Sequence, residues 1–311
     1  MQSNLPLVTV GLPIYNRPEG LRNTLECFIN QTYKNIEIII ADNCSPDPEV
    51  EKIAKEYCKK DHRISYYRHT ENKGWGFNTV FVMEKANGEY FMRATDDDWW
   101  DKDFINKILS KILSKKTAVF GVSNFIEVDP KGFKSRSHIE NHLPLLKQFT
   151  TDNKEQNLLN FIKQFEGYGK SNLYFGIFKL DLLNQHYIKD LLYKQILSCD
   201  ILICFYVLTL GDLIIEEKTL LKLTFDNEKY YEQNINSKKS YFYDYVKVKS
   251  VYSRWKFYFI ELKRIVKKSE LDYKIKSKIK KQINRRIVLF IYDTFVLGLK
   301  FKKIRRKAYL E

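Results

Sequence analysis

The sequence lacks paired cysteines, long apolar runs and a leader-like start. Its five cysteines show no C-x-x-C spacing and their number is odd, so we expect no disulfide framework and a reducing, cytoplasmic compartment. The longest apolar stretch near the C-terminus, Ile287 to Leu299, has 13 residues and contains Asp293. Because a spanning helix needs about 20 apolar residues, this stretch is too short to cross a bilayer. The first residues show no basic segment followed by an apolar core, so we expect no signal peptide.

Most of the chain carries nearly equal numbers of positively and negatively charged side chains. Residues 1–235 hold 30 Lys and Arg against 32 Asp and Glu, whereas residues 236–311 hold 23 against 6. The formal net charge of +15 therefore comes from a C-terminal extension whose own net charge is +17. Any partner attracted by positive charge should be sought for this extension alone.

The first half of the chain alternates strand-like and helix-like patterns. Apolar, β-branched runs at Leu7 to Leu12 and Ile36 to Ala41 predict buried strands, and shorter strands are predicted at Ile64 to Tyr67 and Glu89 to Ala94. Helical spacing of apolar residues separates these runs. The alternation predicts an α/β fold with a mostly parallel central sheet flanked by helices.

The alternation weakens after about Leu113. We predict a strand at Val119 to Val122, an irregular loop over residues 136–157, a strand at Leu173 to Phe178 and an apolar helix at Ile201 to Leu210. A turn is predicted at residues 129–132. We expect the loop over residues 136–157 to contact a partner molecule.

Polar clusters follow three of the predicted strands. They are Pro13 to Arg17, Asp42-Asn43 and Asp96-Asp97-Asp98. Each cluster alone fits ordinary turn chemistry, but ligands of open α/β sheets bind beyond the carboxyl ends of the strands, and three clusters together favour a nucleotide site. Carboxylates crowded at a strand end repel one another, and a hard divalent cation is the usual reason for keeping them there.

These motifs together resemble the N-terminal half of family 2 glycosyltransferases with the GT-A, Rossmann-like fold. The resemblance covers residues 7–115 in order and spacing, and extends more loosely to about residue 225. It is carried by Val10-Gly11-Leu12-Pro13-Ile14-Tyr15-Asn16-Arg17, Gln31-Thr32-Tyr33, Glu37 to Ser45, Asn72-Lys73-Gly74 and Gly88-Glu89-Tyr90-Phe91 leading to the aspartates. It implies an inverting transfer from a nucleoside-diphosphate-sugar, with UDP-sugars favoured, to a hydroxyl of a glycan or lipid-linked glycan, helped by Mn²⁺ or Mg²⁺.

The resemblance also implies roles for individual residues. Pro13, Tyr15 and Arg17 would border the base and ribose, and Asp42 would hydrogen-bond the base. Asp96 would face the ribose and pyrophosphate, and Asp98 would hold the metal. Thr95 stands where one alignment places the first aspartate, so a second register, in which Asp97 takes the role of Asp96 or Asp98, stays open.

The catalytic base implied by the family is Asp200. Relatives place an acidic pair here, whereas this chain has Cys199-Asp200, and Lys222-Leu223-Thr224 stands where many relatives have a basic residue and a histidine. As a residue taken alone, Asp200 equally fits a helix N-cap. If Asp200 only caps a helix, Glu166 is the next candidate. Three tryptophans near the strand ends, Trp75, Trp99 and Trp100, fit either a sugar pocket or ordinary packing, with packing favoured.

The basic extension predicts two amphipathic helices. One lies between Asp244 and Lys268, and the second starts at a capping box made by Ser269 and Asp272. Basic amphipathic helices bind anionic bilayers, so we expect the protein at the inner face of the membrane. The expected apolar anchors are Trp255, Phe259, Phe290 and Phe295. The alternative is a helical pair that packs on the catalytic core, and an oligomeric contact through the extension is left open.

The chain is accordingly divided into three parts. Residues 1–115 form the nucleotide-sugar-binding half, residues 116–235 carry the acceptor site and the base, and residues 236–311 form the basic helical extension. Two other functions remain open from the sequence. One is a nucleic-acid binder acting through the extension, which leaves the strand-end clusters unexplained and lacks a motif; the other is a catalytically inactive carbohydrate-binding module on the same fold.

Overall fold

The computed structural model describes residues 5–128, 142–164, 166, 169–195, 198–224 and 248–292. The strands within these ranges are β1 (Val8–Ile14), β2 (Ile36–Asp42), β3 (Ile64–Arg68), β4 (Tyr90–Arg93), β5 (Trp99–Trp100), β6 (Ala118–Val128), β7 (Ile177–Lys179) and β8 (Asp212–Thr224). They form one sheet in the order β3-β2-β1-β4-β7-β6-β8-β5. The predicted fold class is confirmed.

The direction of the strands changes in the middle of the sheet. The four strands β3, β2, β1 and β4 are parallel to one another, with Ile14 opposite Asp42 and Gly11 opposite Arg93. Strand β7 is antiparallel to both β4 and β6, β8 is parallel to β6, and β5 is antiparallel to β8. The sheet therefore crosses the predicted boundary at residue 115, because β5 of the first part pairs with β8 of the second.

Helices flank this sheet. Those described are α1 (Pro18–Ile29), α2 (Pro48–Lys60), α3 (Trp75–Lys85), α4 (Phe104–Ser114), α5 (Leu143–Lys147), α6 (Lys154–Lys163), α7 (Leu180–Leu183), α8 (His186–Tyr193), α9 (Cys199–Leu210), α10 (Val248–Lys268) and α11 (Tyr273–Tyr292). Local chemistry explains the start of α2, where the Asp47 side chain accepts a hydrogen bond from the Glu49 amide at 2.9 Å and Pro48 occupies the first turn.

Two predictions in the second half are wrong. The apolar segment predicted as a strand at Leu173 to Phe178 is mostly a 3₁₀ helix, Lys170–Phe175, and only Ile177–Lys179 pairs in the sheet. A short apolar run cannot be assigned to helix or strand by periodicity alone. The predicted loop over residues 136–157 contains α5 and the first turn of α6 in its described part. The turn predicted at residues 129–132 lies outside the described residues.

The C-terminal helices pack on the rest of the protein. Helix α10 contacts α9, and α11 contacts α6. The two helices bury one apolar face in the common core: Tyr258, Phe259, Leu262, Ile265, Val266, Ile279, Ile283 and Phe290. The prediction that Phe259 and Phe290 anchor the chain in a membrane is wrong, because both side chains are buried within the protein. The predicted anchor Phe295 lies outside the described residues.

The turn between these helices also differs from the predicted capping box. The Ser269 hydroxyl donates to the Val266 carbonyl at 2.9 Å and so closes α10. Asp272 precedes α11 and accepts a hydrogen bond from the Lys274 amide at 2.7 Å, so Asp272 alone caps the second helix. Among the helices whose residues are described, none is both long enough and apolar enough to span a membrane.

A buried cluster of charges fastens α11 to the body of the protein. The Glu166 carboxylate lies 2.7 Å from the Arg286 guanidinium and 3.4 Å from the Lys170 ammonium, and Tyr258 of α10 donates to it at 3.5 Å. Lys170 also donates to the carbonyls of Phe161 and Gln164. Burial lowers the pKa of Lys170 to about 8. Glu166 is therefore committed to joining elements, and its candidacy as an alternative base loses support.

We expect Glu166→Gln to lower the free energy of unfolding by about 3–5 kcal/mol, because it leaves two buried cations without their counter-charge. The matched control is Lys278→Met, which removes an exposed pair that also joins α11 to α6 through Glu155. That control should lower the free energy of unfolding by less than about 1 kcal/mol. Urea unfolding of the full chain measures both values. Equal, small losses in the two variants would show that the buried cluster does not hold the helices in place.

Candidate active site

The sheet brings the predicted strand-end clusters to one edge. Strands β1, β2 and β4 are parallel neighbours, so their carboxyl ends meet at the same edge of the sheet. Pro13 and Ile14 close β1, Asp42 closes β2, and the aspartate run follows the end of β4. The structure thus confirms the convergence that the sequence predicts, although not every predicted residue contacts the others.

Arg17 and two of the aspartates make the central contact of this edge. The Arg17 Nη1 atom lies 3.1 Å from Asp96 Oδ1 and 2.5 Å from Asp97 Oδ2. Asp96 is buried, whereas the side chains of Arg17 and Asp97 are 52% and 36% exposed. Burial raises the pKa of Asp96 to about 6, opposed by the Arg17 charge. Its second oxygen, Oδ2, is buried without a hydrogen-bond partner.

Helix α1 holds the aspartate run in place. A Cβ atom on Gly20 would lie 1.8 Å from the Asp96 carbonyl oxygen, so only glycine permits the helix to approach this closely. One turn further on, the Thr24 hydroxyl donates to the Thr95 carbonyl at 3.0 Å. The backbone of the aspartate run is therefore held in place by two small residues of α1, Gly20 and Thr24.

Asp98 faces inward. Its Oδ1 accepts a hydrogen bond from the Thr224 amide at 2.8 Å, and its Oδ2 accepts one from the Thr95 hydroxyl. Burial, together with the Asp97 charge, raises the pKa of Asp98 to about 7. Both oxygens have protein partners and the residue is only 8% exposed, whereas Asp97 is open to solvent. These contacts favour the register in which Asp97 faces a ligand, and the assignment of the metal to Asp98 stays a prediction.

The three tryptophans have different positions. Trp100 is buried and its ring centroid lies 5.0 Å from that of Phe28, so it belongs to the core. Trp99 is 40% exposed and the Lys222 ammonium lies 4.7 Å from its ring centroid. Trp75 is exposed at the start of α3. Trp99 and Trp75 are thus the two that a ligand can reach.

Asp42 is a buried organiser of the β2 end. Its Oδ1 accepts hydrogen bonds from the Ser45 amide and hydroxyl at 2.8 and 2.6 Å, and its Oδ2 accepts one from Tyr66 at 2.8 Å. The Arg68 guanidinium lies 3.6 Å from Oδ2. A base could bind Asp42 only through a remaining lone pair of these oxygens. The predicted base contact stays a prediction, and the exposed neighbour Tyr15 is the accessible residue of this corner.

Asp200 lies in the first turn of α9. The residue before the helix is Ser198, whose φ is 57°, so the simple N-cap reading of Asp200 is wrong by two positions. Asp200 Oδ1 accepts a hydrogen bond from the Ile201 amide at 2.8 Å. Burial raises the pKa of Asp200 to about 6, opposed by the Ile201 amide and by the Arg93 charge. A carboxylate with this pKa is ionised near neutral pH and keeps appreciable basicity.

Asp200 makes no direct contact with the aspartate run in the described residues. Burial raises the pKa of both Asp98 and Asp200, and the charge of Arg93, at the end of β4, opposes this rise in each case. The structure therefore shows two acidic centres: one built on β1, β2 and β4, and one at the start of α9.

Sequence reasoning missed several residues that support this site. Gly20, Thr24, Tyr66 and Arg93 bear on it from neighbouring elements, and Thr224 stands where a basic and histidine motif was sought. A polar Thr24 within the apolar face of α1 was the one available signal. The others are determined by strand pairing and helix docking, which a single sequence does not display.

The donor set is suited to a divalent cation held mainly by its ligand. No group of three or more His, Cys, Asp or Glu residues within the described ranges is arranged to hold a metal alone. One exposed carboxylate, Asp97, and the unpaired oxygen of Asp96 offer hard oxygen ligands at the same edge. Ions of this kind are commonly bound by one or two carboxylates together with substrate phosphates, so these residues fit such a site.

Comparisons with known proteins bear on the same residues. The family model described as "Glycosyl transferase family 2" matches residues 9–178, and it confirms the predicted resemblance. Among curated relatives, "Glycosyltransferase GlyA" of Streptococcus pneumoniae serotype 4 is 35% identical over 118 residues. The match covers 38% of this chain and 16% of that protein, so this chain corresponds to only a small part of that relative.

Solved structures share the fold at low identity. TarS residues 1–349 of S. aureus, in complex with UDP-GlcNAc, matches with a TM-score of 0.63 at 15% identity, over 94% of this chain and 73% of that chain. The mannosyltransferase PcManGT of Pyrobaculum calidifontis, in complex with GDP-Man and Mn²⁺, matches with a TM-score of 0.55 at 13% identity, over 98% and 81%. At such identities the likeness establishes the GT-A fold.

We expect Asp98→Asn to stabilise the metal-free protein at pH 8. The pKa of Asp98 rises from 3.8 to about 7 on folding. The protonated side chain therefore favours the fold, and this contribution is lost as the pH rises through about 7. Asparagine keeps an acceptor for the Thr224 amide and a donor for the Thr95 hydroxyl without the charge. The gain in unfolding free energy should reach about 2–4 kcal/mol above pH 7 and shrink towards pH 4.

Urea unfolding in EDTA at several pH values measures this effect. The exposed Asp152→Asn serves as the control and should change little with pH. A loss of stability in Asp98→Asn at pH 8 would mean that the charge-assisted hydrogen bonds of Asp98 outweigh the cost of burying its charge.

Proposed function

This chain belongs to glycosyltransferase family 2, and on that premise we propose that it transfers a sugar, with inversion, from a nucleoside-diphosphate-sugar to a hydroxyl of a glycan or lipid-linked glycan. The observation that carries the proposal is the single edge at which Arg17, Asp96 and Asp97 meet, in a chain that also buries a carboxylate at the start of α9. An inactive module on the same fold would have no need to keep so many carboxylates out of water.

The donor binds across the ends of β1, β2 and β4. Tyr15 and Pro13 border the base and ribose, and Asp42 orders this corner through Ser45 and Tyr66. Arg17 and Asp96 bind towards the ribose and diphosphate. UDP-sugars are the favoured donors, since a structural neighbour is solved in complex with UDP-GlcNAc; the second neighbour's GDP-Man keeps guanosine donors in the panel to be tested.

Mn²⁺ or Mg²⁺ is the proposed cofactor. In the second register Asp97 would hold the ion, with Asp96 beside it, whereas in the register first predicted from the sequence Asp98 would hold it. When bound, such an ion neutralises the charge that develops on the departing diphosphate. PcManGT, a structural neighbour, is solved in complex with Mn²⁺. Arg17 contributes a second positive charge at the same place, because its guanidinium already lies against both aspartates.

Asp200 is the proposed catalytic base. An acceptor hydroxyl is a poor nucleophile near neutral pH, so a carboxylate within reach must take its proton as the new bond forms. The hydroxyl oxygen attacks the anomeric carbon, and the bond to the diphosphate breaks with its electron pair leaving on the diphosphate oxygen. Attack opposite to the leaving group inverts the anomeric configuration without a covalent enzyme intermediate, as in inverting glycosidases.

We expect one or more nucleotide-sugars to raise the melting temperature of the full chain, and Mn²⁺ to enlarge the rise. A ligand at 100 times its Kd adds about 2.7 kcal/mol of stability. The panel contains UDP- and GDP-sugars, each with Mn²⁺, Mg²⁺ or EDTA. Asp97→Asn should lose the metal-dependent part of the rise in melting temperature. If Asp98→Asn loses it instead, Asp98 is the residue that holds the ion.

Turnover of the bound donor then tests the enzyme. Hydrolysis or transfer by the wild type should fall roughly 10²- to 10⁴-fold in kcat in Asp200→Asn, with donor affinity unchanged. Donor binding without any turnover by the wild type would support the inactive module, and neither binding nor turnover would remove the enzyme proposal. A shift with oligonucleotides alone would instead favour the nucleic-acid binder.

We further infer that the protein acts at the inner, cytoplasmic face of a membrane, through one end of the C-terminal helical pair. Exposed apolar side chains lie near the middle of α10 and near the end of α11: Phe257, Ile260, Val288, Leu289, Ile291 and Tyr292. The ring centroid of Trp255 lies 4.8 Å from that of Phe290, so Trp255 packs against the buried face of the helical pair. The extension that carries this patch has a net charge of +17. Anionic lipid attracts such a surface, and exposed apolar residues add a term that salt does not screen.

We expect vesicles containing anionic lipid to sediment the full chain at 0.1 M salt and to release much of it at 1 M, as the Debye length shortens from about 10 to about 3 Å. Val288→Ser with Leu289→Ser and Ile291→Ser should remove the salt-resistant fraction. The control, Leu113→Ser with Leu210→Ser, changes exposed leucines elsewhere. No capture at low salt would overturn the membrane proposal, and dimerisation abolished by the triple variant would assign the patch to a second copy of this chain.

A further inference from the structure

The motif Asn72-Lys73-Gly74 is fastened to the ends of two strands. The Asn43 side-chain amide donates to Asn72 Oδ1 at 2.8 Å, and Asn43 Oδ1 accepts a hydrogen bond from the Lys73 amide at 2.9 Å. Asn43 is buried directly after β2, and its backbone amide donates to the Ile14 carbonyl at the end of β1 at 3.0 Å. The motif is therefore held to the edge of the sheet at which the donor is proposed to bind.

The other side of this segment lies against the end of α8. Gly74 has a φ of 85°, and a Cβ atom there would lie 2.6 Å from Gln195 Nε2. A Cβ atom on Gly76, the second residue of α3, would lie 2.0 Å from the Leu192 carbonyl oxygen and 3.1 Å from Gln195 Cγ. Because Cβ atoms do not approach a backbone oxygen so closely, only glycine permits the start of α3 to lie against this part of the chain. Residues 72–76 are called the bridge segment below.

Helices α8 and α9 form an antiparallel pair. At one end of the pair the Tyr206 hydroxyl, late in α9, donates to the side chain of Gln185, which precedes α8. The ring centroids of Tyr187 and Tyr206 lie 5.5 Å apart at the same end. At the other end Gln195 follows α8, and Asp200 stands in the first turn of α9. The bridge segment therefore contacts the end of the pair that carries the proposed base.

Backbone strain marks this same end. Gln195 and Ser198 have φ values of 46° and 57°, in the left-handed region that residues other than glycine seldom adopt. Strained conformations of this kind persist where the surrounding contacts determine them. The close approach of Gly74 and Gly76 supplies such a contact for Gln195.

We propose that the bridge segment sets the position of the α8–α9 pair relative to the donor edge, and that Gly76 is thereby a positioning residue for the base Asp200. The inference rests on the proposed function and gives a role to a motif that holds none of its reacting groups. Each step is a direct contact: the end of β1 with Asn43, Asn43 with the bridge segment, the bridge segment with the end of α8, and α8 with α9. Rigid elements in continuous contact transmit a displacement from one to the next.

Gly76→Ala tests the proposal, because the added methyl group must displace the Leu192 carbonyl. Alanine is the better helix former, so weakening of α3 cannot account for a loss. The first helical hydrogen bond of α9 is donated by the Leu202 amide at 3.1 Å. In the ligand-free full chain, hydrogen–deuterium exchange of the amides from Leu202 to Phe205 should quicken by about 10-fold, because the displaced α8 supports this turn less well.

Glu84→Ala is the matched control. It removes an ion pair with Lys189, 3.0 Å long, that also joins α3 to α8 but adds no atom to the contact. Exchange at the start of α9 should stay unchanged in this variant.

Kinetics separates positioning from a purely structural role. In Gly76→Ala we expect kcat to fall roughly 10- to 100-fold, because a shift of about 1 Å misaligns the base, while the Kd for UDP stays unchanged. A loss of UDP affinity as large as the loss of kcat would place the damage at the donor edge and overturn the proposal.

Gln195→Ala approaches the same contact from the other side, since it removes contacting atoms without adding a clash. It should give the same two effects in smaller measure, and it decides the matter if Gly76→Ala does not fold. Unchanged exchange in the folded variants overturns the proposal, and so does faster exchange with unchanged kcat. The exchange measurement needs no turnover, so absence of transfer by the wild type overturns the proposed function separately.

Discussion

Negative charge taken out of water must be balanced by positive charge or by hydrogen bonds, and this constraint organises the whole protein. Asp96, Asp98 and Asp200 are removed from solvent at or near the carboxyl ends of the strands, where burial raises the pKa of each. The compensating groups are two guanidiniums, from Arg17 and Arg93, and a few backbone and hydroxyl donors. The compensation is partial. A site left with excess negative charge is ready for a cation, which is the physical reason for proposing one there.

The same constraint explains how the C-terminal helices are held to the core, but there the buried negative charge is fully compensated. Glu166 is paired with Lys170 and Arg286 and receives a hydrogen bond from Tyr258, so its charge is fully matched. A matched cluster joins elements, whereas the unmatched cluster at the sheet edge is the one proposed to bind ligands. The extension differs from the rest of the chain in its charge, yet these contacts fasten it to the core. Its exposed basic surface is the part left for a partner to bind.

The sequence was a good guide wherever one residue type has one common use. The isoleucine-rich run of β2 was correctly predicted as a buried strand of the sheet, and the polar residues after β1, β2 and β4 do meet at one edge of it. It was a poor guide where tertiary contacts decide. Leu173 to Phe178 has strand-forming residues, but its first three residues belong to a 3₁₀ helix that contacts α9, and only Ile177 and Phe178 pair in the sheet. Asp98 and Asp97 are adjacent and chemically identical, and only the Thr95 and Thr224 donors tell the inward carboxylate from the outward one.

The strand order shows why the base could not be located from the first half alone. Strand β4 is parallel to β1 on one side and antiparallel to β7 on the other, and β7 enters the sheet more than eighty residues later in the chain. The 3₁₀ helix that precedes β7 comes with it and contacts α9. The residues proposed for the donor site and the proposed base therefore come from different halves of the sequence, and the pairings of β4 with β7 and of β5 with β8 join these halves into one sheet.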